Sequence, residues 1–363
     1  MTERLTDLMQ RAVDDLRVPP APTERVVAQG RAVRRTRRRT AAAVTAAVVL
    51  VAGIGVGATW RGTSEVEPAR PDDTGRAEDL AGNGPALAVG STVVLDGGDV
   101  IARVGADAVR SLYYTSAGVV VRHGTDAAQD GSAVMRFSLL TASGSLTRLP
   151  IELQSAVPST DPTEPYLAFS TVAEGTVQVV VLDVRDGVEA ARVPVPQVAK
   201  WGAWTSPVVS LDGDTVYVGS AEGSVSVDWR TGEVTETAEV DVYPDVRGGH
   251  TIATADGAPI VVDVATGELL AGTTGRSGML SLSPDGRYAR VGERIVDLET
   301  QAITRVGLRG PIGWSPSDEP FTLDGDRLTT CSPTTGECVE TRLDLPAGAG
   351  SDDVRLGGVT YES

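Results

Sequence analysis

Two cysteines, two histidines and a few short aspartate pairs are the residues of this 363-residue sequence whose types and spacing invite a chemical reading. Cys331 and Cys338 flank "SPTTGE", whose Thr-Gly pair reads as a turn. Strands pairing across it would bring the thiols together, and outside the cytoplasm such a pair is expected as a disulfide. The plainer reading is two small hydrophobes, and a zinc site lacks ligands because no histidine stands nearby. His123 in "VRHGT" and His250 in "GGHTI" follow strand-like runs and adjoin glycine, which is turn chemistry, and no nucleophile lies at a readable spacing from either. The aspartates of "LDGGD" (95–99) and "LDGD" (211–214 and 323–326) are of a type that ligates calcium. No twelve-residue loop ending in glutamate follows them, so Asp-Gly hairpin turns account for them more simply. No residue is assigned to catalysis, to a cofactor or to a metal.

The elements that position these residues are strands. Gly 41 and Pro 21 are scattered as turn punctuation, and valine dominates the apolar set, which favours many short strands. The stretch "TVYVGSAEGSVSVDWRTGEV" (215–234) ends on a Thr-Gly-Glu that recurs in "VDVATGEL" and "SPTTGEC", and more weakly in "VDLETQAI" and "LDVRDGVE". Taking Gly144, Gly187, Gly232, Gly267, Gln301 and Gly336 as the turn positions, the intervals are 43, 45, 35, 34 and 35 residues. "SLDGDTVYVG" and "SLSPDGRYARVG" repeat the other end of the unit, and "WSPSDEPFTLDG" shares the Ser-Pro start. Four short strands per roughly 40 residues is the pattern of a propeller blade, whose two apolar faces need neighbours on both sides.

On these residues, "VYVGSAEGSVSVDWRTGEV" resembles the repeat of pyrroloquinoline-quinone-type propellers and "SLSPDGRY" the WD40-like repeat of bacterial periplasmic propellers. The resemblance implies a fold, not a chemistry. A quinoprotein enzyme would need a larger chain, adjacent cysteines and calcium ligands, which this sequence lacks. Blades are expected near 109–150, 165–195, 199–240, 241–273, 278–307 and 310–345. Two N-terminal strands at 91–104 and one or two strands in "DVRLGGVTYE" would build a seventh blade from both ends of the repeat region. Seven blades are expected, six being the alternative. Trp201, Trp204 and Trp314 are expected to fill gaps between blades, with a ligand-holding channel mouth as their other use.

Ahead of the repeats, "TAAAVTAAVVLVAGIGVGATW" carries no charge over about 20 residues, the length of a membrane-crossing helix. Arg34, Arg35, Arg37, Arg38 and Arg39 precede it, so the positive-inside bias places the N-terminus in the cytoplasm and the C-terminal domain outside. A signal peptide cleaved near Ala58 is the rival reading. Residues 1–40 hold ten Arg against five acids, or +5, so from the net −17 the remainder carries −22 and is unsuited to nucleic acid. Leu5, Leu8, Met9, Val13 and Leu16 form a helical apolar stripe, a candidate face for a cytoplasmic partner. The layout resembles actinobacterial single-pass membrane proteins with an extracytoplasmic sensor, some of which partner sigma factors. The zinc-binding anti-sigma motif is absent, since the first 60 residues hold no histidine or cysteine.

The sequence therefore predicts an all-β propeller of four-stranded blades at 86–363, preceded by a cytoplasmic stub (1–40), a transmembrane helix (41–60) and a flexible linker (61–85). The expected function is a non-catalytic binding, sensor or scaffold protein at the cell membrane. Its partners would be the membrane, an envelope protein or ligand at the propeller, and a cytoplasmic regulator such as a sigma factor. The alternatives are a propeller enzyme acting on a small envelope substrate and a surface-displayed binding domain without signalling. An enzyme would require convergent polar groups in the central channel.

Overall fold

The computed structural model describes residues 84–359, apart from 125–133, 154–156, 202–205, 222, 238–241, 243–244, 274–279 and 346–353. Among the described residues, twenty-eight strands form seven four-stranded antiparallel sheets. The first blade holds β4 (Ala108–Thr115), β5 (Gly118–Gly124), β6 (Met135–Leu140) and β7 (Leu146–Leu153). The second holds β8 (Ser159–Thr160), β9 (Tyr166–Ala173), β10 (Thr176–Asp183) and β11 (Val188–Pro194). In the third are β12 (Val209–Asp212), β13 (Thr215–Ser220), β14 (Gly223–Asp228) and β15 (Glu233–Glu236). The fourth comprises β16 (Val246–Arg247), β17 (His250–Ala255), β18 (Ala258–Asp263) and β19 (Leu269–Gly272). The fifth comprises β20 (Leu280–Leu282), β21 (Tyr288–Val291), β22 (Arg294–Asp297) and β23 (Ile303–Arg305). The sixth comprises β24 (Gly313–Trp314), β25 (Pro320–Asp324), β26 (Arg327–Cys331) and β27 (Cys338–Arg342).

The remaining blade closes the ring with strands from both ends, in the order β28 (Val354–Leu356), β1 (Leu87–Val89), β2 (Thr92–Leu95) and β3 (Val100–Arg103). The seventh, shared blade is thus present, with three N-terminal strands where two were expected. The additional strand is β1, whose register with β28 pairs Leu87 with Leu356 and Val89 with Val354.

Why the strands read as near-continuous valine is visible in β10. Val177, Val179 and Val181 pack toward the third blade, while Val180 and Leu182 pack toward the first, so the two-residue period buries both faces. Each such side chain contributes about 1.5–3 kcal/mol on burial. Seven separate apolar clusters result, one at each junction between neighbouring blades. The first strands lie innermost, with β28, β4, β8, β12 and β16 in successive contact, and the outer strand β27 is exposed along its whole length.

The repeat's turn positions share one conformation. Gly144, Gly187, Gly232, Gly267, Gln301 and Gly336 all have left-handed φ, between 60° and 80°. In four of these turns the strand-ending aspartate, at 183, 228, 263 or 297, accepts hydrogen bonds from backbone N–H groups two or three residues on. The residue at the turn position then donates its N–H to that aspartate's carbonyl. This is the physical content of the "D-x-x-T-G" punctuation.

The membrane-anchored reading is corrected here. The expected cytoplasmic helix with Leu5, Leu8, Met9, Val13 and Leu16, the arginine flank Arg34, Arg35, Arg37, Arg38 and Arg39, and the span at 41–60 all lie outside the described residues. Among the described residues no helix is long and apolar enough to cross a membrane, and the sole helical element is the 3-10 turn Asp96–Gly98. The apolar residues that are described lie in short strands that cover blade faces instead. Single-pass localisation, an extracytoplasmic placement fixed by the span, and sigma-factor or membrane partnership accordingly play no part in the function derived below.

Candidate functional site

The blades enclose a central channel with a cavity of about 820 Å³. β4 contributes residues 110–114 to its wall, β20 and β21 contribute Leu280 to Leu282 and Arg290, and the tail after β28 contributes Gly358 and Val359. Its charged lining is Arg110, Arg247, Arg290, Arg355 and Asp245, four cations against one anion in a chain of net charge −17. Leu112, Ile252, Leu280, Ile312 and Leu356 supply apolar wall. The channel is therefore neither purely apolar nor a set of acids and bases.

Asp245 and Arg247 form a closed unit. Their side chains are ion-paired, Asp245 accepts the Ser159 hydroxyl at 3.1 Å and that of Ser210, and Arg247 also donates to the Thr160 carbonyl. Burial pushes the Asp245 carboxyl up, while Arg247 and the two serines pull the other way. Arg290 differs. It is only 6% exposed, on β21 opposite Ser281, and its Nε donates to the Gly292 carbonyl at 2.8 Å. No carboxylate among the described residues pairs with it, and burial alone depresses its pKa.

Aspartates in the turns after the first strands fasten blade to blade, and of those the sequence marked as turn residues Asp212 is one. Asp161 Oδ2 accepts the Gly213 N–H at 2.7 Å, and Asp212 accepts those of Gly248 and Gly249 at 2.9 and 2.7 Å. Asp285 N–H donates to Asp318 Oδ1 at 3.1 Å. Among the described residues no three His, Cys, Asp or Glu side chains are grouped to hold a metal. Cys331 and Cys338 are a directly opposed pair on β26 and β27, and they form the expected disulfide, with Cα atoms 4.0 Å apart.

The histidines depart from the sequence reading. Both lie in strands, His123 in β5 and His250 at the start of β17, where its Nδ1 contacts the Gly286 carbonyl at 2.8 Å. His123 bridges Asp107 Oδ2 (2.8 Å from Nδ1) and Ser138 Oγ (2.9 Å from Nε2), the order of a nucleophile, base and acid chain. Burial would raise the Asp107 carboxyl, but hydrogen bonds from His123 and Arg136 prevail and hold it below the usual range. Ser138 is 4% exposed and is not part of the channel wall, so the chain pins the loop before β4 to the blade's interior strands. Its members stand 16 and 15 residues apart, a spacing set by strand register.

Trp314 is fully buried between the fifth and sixth blades, its Nε1 donating to Ser281 Oγ at 3.0 Å, and Trp201 packs partly buried between the second and third. Trp204 lies outside the described residues. Sequence reasoning missed the channel arginines. The available signal was Arg290, a charge inside "YARV", a strand whose four residues are all buried.

No protein-family model and no curated protein matches the chain. Solved structures do. AztD from Citrobacter koseri is 13% identical, with a TM-score of 0.47, covering 75% of this chain and 98% of its own. The periplasmic gluconolactonase PpgL from Pseudomonas aeruginosa is 16% identical, with a TM-score of 0.40, covering 75% and 99%. TolB from Acinetobacter baumannii is 13% identical, with a TM-score of 0.37, covering 76% and 66%. At these values the likenesses carry no argument about ligand or activity.

Proposed function

We propose that this chain is a non-catalytic binding propeller that takes a small molecule in its central channel. The observation that carries the reading is the cavity of about 820 Å³, lined by both apolar and cationic side chains. That size lies within the range of small-molecule sites, which combine apolar walls with a few placed polar groups. The enzyme alternative has the Asp107–His123–Ser138 chain in its favour, but Ser138 is 4% exposed and is not among the residues that line the cavity, which supports binding over catalysis.

The test is a thermal-shift screen of the full chain against a charge-diverse set of small molecules, repeated on Leu280→Trp, which fills channel space. A ligand that binds the folded state raises Tm according to its concentration over Kd. The reading expects at least one compound to stabilise the wild type and to lose that effect in the variant. An absence of any shift in the wild type, or shifts undiminished by Leu280→Trp, overturns it.

A further inference from the structure

We infer that the channel selects an organic anion, a carboxylate or other planar oxyanion on an apolar body, and that Arg290 is the residue that binds the anionic group. The inference rests on the channel-binding reading above and deepens it.

Its basis is a charge without compensation. A buried guanidinium costs several kcal/mol unless it is paired and hydrogen-bonded. Arg247, the channel cation with a described carboxylate contact, is neutralised by Asp245 and tied to the Thr160 carbonyl. Arg290 is more deeply buried, yet among the described residues its guanidinium meets only the Gly292 carbonyl, through Nε. Among the described residues, the Nη1 and Nη2 groups of this cavity-lining residue have no protein acceptor. A folded chain keeps such a group where something else supplies the counter-charge. The planar fork of Arg matches an oxyanion with two coplanar oxygens, and hydrogen bonds between ions are roughly twice as strong as neutral ones.

The surroundings define the rest of the ligand. Arg110 and Arg355 add positive potential to the same cavity, while Leu112, Ile252 and Leu280 offer surface to an apolar body rather than to a small hydrated ion. The chain as a whole is strongly acidic, so it repels anions from most of its surface and concentrates its attraction in the channel.

The experiment titrates the full chain by calorimetry with 1-naphthoate and with naphthalene-1-carboxamide, a neutral molecule of nearly the same shape. Wild type is expected to bind the acid at least tenfold more tightly than the amide. Arg290→Gln and Arg290→Met are expected to abolish that preference while retaining the amide's affinity. Without ligand, both variants should melt at or above the wild-type temperature, because each removes an uncompensated buried charge; 1-naphthoate should raise Tm in wild type only. Equal binding of acid and amide in wild type, lost for both in Leu280→Trp, overturns the anion inference and leaves channel binding standing. Binding of neither probe at millimolar concentration overturns the anion inference, and if the wider screen also fails, the channel reading falls with it. A Tm several degrees lower in both Arg290 variants, with acid and amide weakened alike, makes Arg290 a structural residue and also overturns the inference.

Discussion

Gln301 stands at the one repeat turn of the six where the left-handed position is not glycine, with φ of 60°. A side chain in that region costs roughly 1 kcal/mol, against which Gln301 gains a single hydrogen bond from Nε2 to the Leu298 carbonyl at 3.0 Å. Gln301→Gly should therefore stabilise the fold by about 0.5–1 kcal/mol in urea unfolding, and a destabilised variant would show that the side-chain bond outweighs the strain. Asp318 gives a pH signature. Burial, and then the neighbouring Asp285 charge, push its carboxyl up to about 7 from an ordinary 3.8. Below about pH 4 both folded and unfolded forms hold the proton, so the group has no effect. Between there and pH 7 the unfolded chain ionises first and stability falls, and above pH 7 the loss is complete. Asp318→Asn should remove that fall, so the variant's advantage over wild type grows from pH 4 to 7 and then levels. Parallel stability curves for the two proteins would contradict this.

At the scale of elements, the hairpin of β26 and β27 combines an outer strand exposed throughout with a disulfide across its turn. A cross-link closing so short a loop is worth about 2 kcal/mol. The Cys331→Ala, Cys338→Ala double variant should lose about that much, and hydrogen exchange should quicken first in β27, whose apolar contacts are few. Uniform exchange changes through all seven blades would mean that the bond supports the ring and not the hairpin. Elements were also where the sequence was most and least legible. Blade order and turn positions could be read because each hairpin turn is local and repeats its residues. β1 escaped because "ALAV" is too short to show a period by itself and exists as a strand only through β2 and β28. Arg290 and the His123 chain escaped for a related reason. Both faces of a blade strand are buried, so alternation does not say which residue faces the axis, and partners from other strands are absent from any local window.

At the scale of the molecule, closure depends on the tail after β28. Gly357 donates its N–H to the Ala86 carbonyl at 2.8 Å and accepts from Trp314 N–H at 3.0 Å, while Ala86 N–H donates to the Tyr114 hydroxyl at 2.9 Å. The sixth, closing and first blades are stitched at one point. Gly358 has φ of 69°, and a Cβ there would lie 2.7 Å from the Trp314 carbonyl oxygen and 2.9 Å from its Cβ. Gly358→Val should cost about 2–4 kcal/mol, read as a lower denaturation midpoint with early exposure of Trp314 fluorescence. An unchanged midpoint would show that the ring does not rely on this contact.

The shared blade also sets a schedule. Counting from Val89 to Val354, which face each other in the finished sheet, 265 residues must be made before β1 meets its partner. At about 5–20 residues per second the ribosome needs roughly 13–53 s for that stretch. Through all of it the free edge of β1 and the apolar side of its blade remain available to any other extended chain, so the protein's most vulnerable moment falls during translation, before the ring exists.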